Sequence, residues 1–221
     1  MKRLVIFGIG DMARVAWSYF SNDSDYRVEA FTVDRQFASD ASLSDLPIVP
    51  FDTIEGAYPA NEFHLFVAVG FRRLNKDRAE ICERARVKGY KLATYFSSKA
   101  FNPGRVECGD NCFILENNVL QPFVRIGSNV VLWSGNHIGH DAVVEDHCFI
   151  SSHVVISGRV CVGQRSFLGV NVSVKQGVTI APDCLIGAGA VILKDTAPGS
   201  VHLVKSTPAM PVPSSQVELF L

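Results

Sequence analysis

A small Rossmann-like α/β half-domain followed by a parallel β-helix of hexapeptide repeats is the fold predicted by three observations. The first is a period of six. Ile114, Leu120, Ile126, Leu132, Ile138, Val144, Ile150, Ile156, Val162, Leu168, Val174, Ile180, Ile186 and Ile192 are fourteen consecutive aliphatics in one register. The second is a small or medium side chain, mostly apolar, four residues after most of them, from Val124 and Val130 through Ala142, Cys148, Val154, Val160, Ser166, Val172 and Val178 to Cys184 and Ala190. The third, ahead of the repeat, is an apolar run at residues 3–8 that ends in Gly8-Ile9-Gly10-Asp11-Met12-Ala13. A period of six fits neither an amphipathic helix nor an alternating strand. It fits coils whose sides each take one hexad and whose stacking buries a continuous core.

In chain order, residues 3–8 read as a buried parallel strand and the stretch from the glycine turn to about Phe20 as a helix. Backbone N–H groups at that helix N-terminus are available to an anion. The third position of the G-x-G-x-x-G pattern holds Ala13, and a tight turn with no ligand also accounts for the segment. Tyr26 to Val33 reads as a second strand ending at Asp34-Arg35, beside the first turn, where Asp34 is placed either to accept from a ribose or base or to sit in a solvated loop. Pro47 to Phe51 is a short strand with Asp52 set to cap the next segment, and Phe63 to Val69 a fourth strand ending at Gly70. Residues 75–88 read as a charged helix with a largely solvated face, stopped by Gly89, and Lys91 to Phe96 as a fifth strand. Residues 1–98 are too short for a full dinucleotide fold, which disfavours an NAD enzyme.

The hexads begin irregularly at Val106 and place residues 18 apart one above the other, about 4.8 Å along the axis. Fourteen hexads make between four and five coils, roughly 22 Å of prism at that spacing. Coils of this kind in known hexapeptide proteins are left-handed, against the usual right-handed crossover rule. The β-helix domain is set at 99–206 and a C-terminal tail at 207–221. The hexad pattern ends at 195–199, and the chain that remains, with Pro208, Pro211 and Pro213, is expected to cross back over the prism rather than extend it.

Composition narrows the function. A formal charge of −1 with mixed signs gives no argument for nucleic-acid or anionic-membrane partners, and no run reaches the length of a membrane span. The apolar N-terminal run is broken too early by Gly8, Gly10 and Asp11 to read as a signal peptide, so a soluble, cytoplasmic chain is expected. Of six cysteines, Cys112, Cys148 and Cys184 are spaced by 36 at the inward small position and Cys108 falls on the aliphatic one, so they read as buried hydrophobes rather than disulfide or zinc ligands.

Against a scaffold of aliphatic inward positions, departures carry information. The densest is Trp133-Ser134-Gly135-Asn136-His137-Ile138-Gly139-His140-Asp141, and four of the six histidines lie between 137 and 153. Asn136 takes an inward position and needs partners for its amide. His140 faces outward beside Asp141, while stacking sets Asp141 over Arg159 and aligns His147, Arg165 and Asp183. His137, His140, His147 and His153 fall on different sides of a coil and do not converge on a metal ion.

With these motifs in hand, the chain resembles the PglD/NeuD-like sugar acyltransferases, and among them the bacterial nucleotide-sugar N-acetyltransferases of the perosamine type. The resemblance rests on the glycine turn and on Val69-Gly-Phe-x-x-x-Asn75-x-x-Arg78. In the repeats it rests on residues 132–140 and on Phe167-Leu-Gly-Val-Asn171. It implies a left-handed β-helix, a homotrimer with active sites between neighbouring prisms, acetyl-CoA along the coils and a nucleotide-linked amino sugar on the first domain. By resemblance His140 is the general base and Asp141 the acidic residue beside it. Gly8, Gly10, Asp11, Asp34, Arg35, Gly70 and Asn75 correspond to nucleotide-sugar positions, with Trp133 and Asn136 placed near the sugar. Gly158, Val170 and Ala188 correspond to acetyl-CoA positions. Phe149 stands where one relative has a CoA-contacting histidine. Lys205 is left to meet the CoA phosphates, since no base follows Ala209. Sugar O-acetylation and a non-catalytic nucleotide-sugar-binding scaffold are the alternative readings.

Overall fold

The structure is a computed structural model that describes residues 1–38, 42–103, 106 and 108–212. The first domain is a twisted, mostly parallel sheet in the order β3-β4-β2-β1-β5-β6. Its strands are β1 (Lys2–Phe7), β2 (Tyr26–Val33), β3 (Ser42–Leu43), β4 (Leu46–Pro50), β5 (Phe63–Val67) and β6 (Lys91–Leu92). Only β3 runs antiparallel, against β4. Helix α1 (Asp11–Asn22) and helix α2 (Lys76–Val87) cover the two faces of the sheet. Leu4 and Ile6 pack with α1, and Val5 and Phe7 with α2, so both faces of β1 are buried from Leu4 on and those four residues are all apolar.

The repeats form a three-sided prism, as the period of six predicts, with the left hand that the resemblance implies. Its first face stacks Tyr95–Phe96, Phe113–Ile114, Val131–Leu132, Phe149–Ile150, Phe167–Leu168, Leu185–Ile186 and Val201–His202. The second face stacks Val119–Leu120, His137–Ile138, Val155–Ile156, Ser173–Val174 and Val191–Ile192. The third stacks Arg125–Ile126, Val143–Val144, Cys161–Val162 and Thr179–Ile180. All pairings are parallel and couple residues 18 apart, as in Ile138 with Ile156 and Val144 with Val162, except in the last rung, where Leu185 meets Val201 at a separation of 16. The inward aliphatics and the small residues four positions on form one core, with Cys112, Cys148 and Cys184 inside it. Fully burying one such Ile or Leu contributes about 1.5–3 kcal/mol, and the stack repeats that gain at every level.

Each bend between faces is made by one residue with left-handed φ. These positions run 111, 117, 123, 129, 135, 141, 147, 153, 159, 165, 171, 177, 183 and 189. Six of them are Asn or Asp, the non-glycine residues that adopt that conformation at least cost.

Three expectations about the fold are corrected. The expected strand from Lys91 to Phe96 is two strands: β6 closes the first sheet, and after Ala93 and Thr94 the next strand, β7 (Tyr95–Phe96), already belongs to the prism. The chain does not leave the prism after Ile192 to cross back over it. Val201–His202 pairs with Leu185–Ile186 and adds a rung to the first face. Pro208 and Pro211 follow in exposed chain, and Pro213 lies outside the described residues. Asp52 lies within a 3-10 turn, Phe51–Gly56, and pairs with Arg35 instead of capping. No helix of the described residues is long and apolar enough to cross a membrane.

The two domains share a dry joint. Phe113, Val131, Phe149 and Phe167 point outward from the first face into a cluster with Phe20, Phe66 and Tyr95. The side chain of Asn111, at a prism bend, accepts from the Val67 amide at 2.7 Å and donates to the Val67 carbonyl at 3.2 Å, so it completes the end of β5 as a further strand would. Asp23 at the end of α1 accepts from the Tyr95 hydroxyl at 2.7 Å and the Ser98 amide at 3.0 Å.

Candidate active site

The described structure offers two places for chemistry, one at the C-terminal ends of the first sheet's strands and one on an edge of the prism. At the first, a cleft of about 650 Å³ opens between the glycine turn after β1, the end of β2 and helix α2. Gly8, Gly10, Asp11, Asp34 and Gly70 line it, as the resemblance implies. Gly8 has a φ of +123°, and a Cβ there would stand 2.6 Å from the Ala68 carbonyl oxygen, so the turn needs glycine. Asp34 is held by Arg84 in an ion pair across the cleft. Arg35 does not face the cleft. It turns outward to Asp52 at 2.7 Å, because the 3-10 turn after Asp34 rotates successive side chains away from one another.

The sequence reading missed the cleft wall supplied by α2: Asp77, Glu80, Ile81 and Arg84, with Arg72 ahead of the helix. Spacings of three and four residues put 77, 80, 81 and 84 on one helical face, a signal hidden because the whole helix is charged. Asp77 pairs with Arg72 at 2.7 Å and Arg73 at 3.0 Å, and Glu80 with Arg73 at 3.0 Å, so these acids are largely neutralised.

Asn75 and Arg78 are not on a solvated face. Arg78 is fully buried, the largest such side chain in the chain. Its guanidinium donates to Asn129 Oδ1 at 2.8 Å, to the carbonyls of Asn129, Cys148 and His147 at 3.1–3.3 Å, and to Asn75 Oδ1 at 3.3 Å. Burial pulls its pKa down to about 10, which leaves it charged at neutral pH. Asn75 is also fully buried, donating to the Arg165 and Ser166 carbonyls at 3.2 and 3.3 Å, so it joins the domains and does not meet a ligand in the cleft.

The second place is the edge between the second and third faces. There His140 and Asp141 are half exposed, and His140 Nδ1 lies 2.7 Å from Asp141 Oδ2. Asp141 is the left-handed bend residue, with φ of +59°, a conformation that folds its carboxylate back beside the preceding imidazole. It pairs with His140 and not with Arg159. The His140 amide donates to the Gln121 side chain at 2.8 Å and its carbonyl accepts from the Arg159 amide at 2.8 Å, so the bend is fixed from above and below. Gly158 is buried directly under the ring: a Cβ there would meet His140 Nε2 at 2.6 Å. With Nδ1 committed to Asp141, Nε2 is the nitrogen left to act.

Trp133, Asn136, Val170 and Ala188 lie elsewhere, at the edge between the first and second faces. Asn136 is 1% exposed and does not reach a sugar. Its amide donates to the Trp133 carbonyl, and its oxygen accepts from the Val154 amide at 2.7 Å. Asn118, one coil away, donates to the same Trp133 carbonyl at 2.9 Å. Trp133 itself leans on Phe149 and the domain joint. Phe149 is 5% exposed, packed against Phe167 and Phe71 with centroids 5.6 and 5.1 Å away, and so is closed to a cofactor. Val170 and Ala188 are exposed, one above the other, and Lys205 is exposed beyond the last rung. His137 lies on the second face, His147 at the bend between third and first faces, and His153 between first and second. Among the described residues no three His, Cys, Asp or Glu side chains gather as metal ligands. Arg165 and Asp183 do stack into an ion pair at 2.8 Å, while His147 Nδ1 instead meets Asn129 at 2.9 Å.

Comparison with known proteins agrees with this architecture. The bacterial transferase hexapeptide model (six repeats) matches residues 105–140 and 124–158, and the hexapeptide repeat of succinyl-transferase matches 159–194. The acetyltransferase domain of PglB from Neisseria gonorrhoeae shares the fold with a TM-score of 0.78 at 23% identity, over 91% of this chain and 96% of that one. Perosamine N-acetyltransferase (PerB) from Caulobacter crescentus, solved with CoA and GDP-perosamine, superposes with a TM-score of 0.77 at 26% identity, over 92% and 93% of the two chains. Among curated sequences, the acyl-[acyl-carrier-protein]–UDP-N-acetylglucosamine O-acyltransferase of Stutzerimonas stutzeri is 29% identical over 100 residues, 42% of this chain. The match spans only 39% of that relative's length, and 28% of the corresponding Campylobacter concisus protein. The hexapeptide models together match residues 105–194, and along nine-tenths of its length the chain shares its fold with the PglB acetyltransferase domain and perosamine N-acetyltransferase, in line with the resemblance of its sequence.

Proposed function

We propose that the protein transfers an acetyl group from acetyl-CoA to the amino group of a nucleotide-linked amino sugar, with His140 as general base. The observation that carries the reading is the half-exposed His140–Asp141 pair at 2.7 Å on a prism edge, its Nε2 lying over Gly158. The amine attacks the thioester carbonyl while Nε2 takes its proton. The C–N bond forms, the C–S bond breaks, and the proton leaves with the CoA sulfur. Asp141, holding Nδ1–H, fixes the tautomer that leaves Nε2 unprotonated and favours the imidazolium as it forms. The Gly158 amide, beside the ring and bonded to no described residue, is the donor we assign to the developing oxyanion. CoA and GDP-perosamine in the Caulobacter relative support the pairing of substrates.

A site that uses both His140 and the Val170–Ala188 column needs two chains, because these lie on different edges of one prism. The second face between those edges exposes Phe101, Val155 and Val191, at 62%, 40% and 64%. Packing that face around a threefold axis sets one chain's His140 edge beside its neighbour's Val170 edge, which supports a homotrimer.

The test is thiol release from acetyl-CoA with matched amino and hydroxyl nucleotide sugars, followed in wild type and His140→Asn. Release with the amino form, lost in the variant, supports the reading. Preference for the hydroxyl form would instead favour O-acylation, in line with the curated O-acyltransferase relatives. No release with any sugar would favour a binding scaffold.

A further inference from the structure

Of the fourteen bends that turn the prism, all but one carry Asn, Asp, Gly, His or Arg. The exception is Phe123, with φ of +69°. A bulky side chain at positive φ is an outlier, because its Cβ crowds a backbone carbonyl. Pro122 precedes it, and the residue that follows Pro with positive φ in such a bend is ordinarily Gly or Asn. Packing does not offset the strain. Phe123 is 76% exposed and belongs to none of the three apolar clusters, whereas Phe113 and Phe149 on the first face are buried. A single exposed Phe needs no explanation by itself, but one held outward at positive φ does.

Phe123 stands eighteen residues before Asp141, so the two share one edge on adjacent coils, about 4.8 Å apart along the axis. The coil of Phe123 also holds the His140–Asp141 pair directly. The Gln121 side chain accepts from the His140 amide at 2.8 Å, and the Pro122 carbonyl accepts from the Asp141 amide at 3.2 Å. The corner that carries the phenyl ring and the corner that carries the imidazole are thus bonded to each other. Gly158 and the exposed Val170 and Ala188 lie further along the axis, on the C-terminal side of His140, and Phe123 lies on the N-terminal side. With acetyl-CoA on the Val170–Ala188 side, the N-terminal side is left for the acceptor.

We infer that Phe123 is the wall against which the acceptor's sugar ring lies while its amine meets His140 Nε2. A flat phenyl ring covers the C–H face of a pyranose and excludes water from it. The hydroxyl and amino groups at the sugar's rim stay free for polar contacts. Such a wall ranks acceptors by whether one ring face is clear of axial hydroxyls. The strain at Phe123 is the cost of holding a large apolar side chain at the one bend beside His140 on this side. This inference rests on the acetyl-transfer reading above, and adds a residue that selects the sugar to the pair that moves the proton.

The test is steady-state kinetics of the full chain with acetyl-CoA and the amino-sugar nucleotide that gives the fastest thiol release in wild type. Phe123→Asn puts a residue suited to the bend in place of the ring, so the unfolding midpoint is expected to rise by about 2–4 °C. In the same variant kcat/KM for the acceptor should fall by about 10- to 100-fold, while KM for acetyl-CoA stays within about twofold. Phe123→Tyr keeps the ring and should hold kcat/KM for the acceptor within about threefold of wild type. Unchanged kcat/KM for the acceptor in Phe123→Asn would overturn the inference and leave the acetyl-transfer reading standing. So would an equal loss toward both substrates, a lowered midpoint, or a changed oligomer size in gel filtration, each of which would make Phe123 a structural contact. Absence of thiol release by wild type with any amino-sugar nucleotide would overturn both.

Discussion

The imidazole of His140 rests on Gly158, one coil further along the prism, so closely that no side chain fits between them. The stacking rule of the fold thus selects the floor of the site: the residue beneath an active corner is set by counting eighteen onward. Gly158→Ala is expected to push the ring off its position and lower kcat by about 10- to 100-fold, the scale on which small misplacements act. Thermal stability should change little, since the atoms displaced are the outer end of a half-exposed side chain. Equal kcat in the variant would remove Gly158 from the site.

Loss of the base itself should be larger. His140→Ala is expected to reduce kcat by about 10²–10⁴-fold with the prism unaltered, and Asp141→Asn by less, because the Asn can still hold the ring but supplies no charge. Steady-state kinetics beside circular dichroism separate these effects. Turnover near the wild-type value in His140→Ala would assign the proton transfer to another group.

Asn136 stabilises the coil beneath Trp133. Replacement by Val, the residue one coil on at Val154, removes the partner of the Val154 amide and one of two donors to the Trp133 carbonyl. A cost of about 1–3 kcal/mol is expected from the buried amide left unpaired. Denaturant unfolding measures it, and an unchanged midpoint would contradict the role.

Acid should loosen the domain joint in two steps. Burial, reinforced by the nearby Arg78, Arg86 and Arg165 and opposed by Asp146, holds His147 below its ordinary 6.5. The unfolded chain then binds the proton more readily, and stability falls as pH drops below about 6.5. Asp23 is held below 3.8 by its bonds from Ser98, Tyr95 and Ser97 against opposing burial. Its contribution is complete above 3.8 and disappears as pH falls through the lower folded value. Thermal unfolding from pH 8 to 2 should show both steps, with Asp23→Asn reducing the lower one, to which Glu29, Asp110, Glu116 and Asp183, also held below their ordinary values, contribute as well.

Thiol chemistry gives an independent check on the prism. Cys82, Cys112, Cys148 and Cys184 are buried, and burial pushes Cys82 and Cys148 up to about 12, while Cys108 and Cys161 are only half-buried. In native protein, alkylation followed by peptide mapping should label Cys108 and Cys161 and spare the other four until denaturant is added. Rapid labelling of Cys148 would mean that the core is open.

The repeat was legible because its core is one-dimensional: an inward side chain meets only the coils above and below, so periodicity alone specifies Ile138, Val144 and Cys148. Arg78, Asn75 and Phe149 were not legible, because each owes its place to a second domain that a local pattern does not represent. Arg78 counted as one charge among many on a helix, yet it is the most buried of them. Trp133 and Asn136 were near His140 in the chain and went to another edge, since a hexad turns the corner between them. The left-handed bend positions were readable in principle, as Asn and Asp recur there at multiples of six residues, at 111, 117, 129, 141, 171 and 183.

Only Ala93 and Thr94 separate a strand of the first sheet from a strand of the prism. The two halves share the cluster around Phe113 as well as this short connection, and are modules in appearance more than in practice. A chimera that grafts a foreign first domain by joining after residue 98 would strip the prism of its opening rung at Tyr95–Phe96 and expose Phe113. The junction that preserves both parts lies within those two residues. An exchange made there must also bring an equivalent of Arg78, or the prism's Asn129, His147 and Cys148 will lose the buried guanidinium that binds them across the joint.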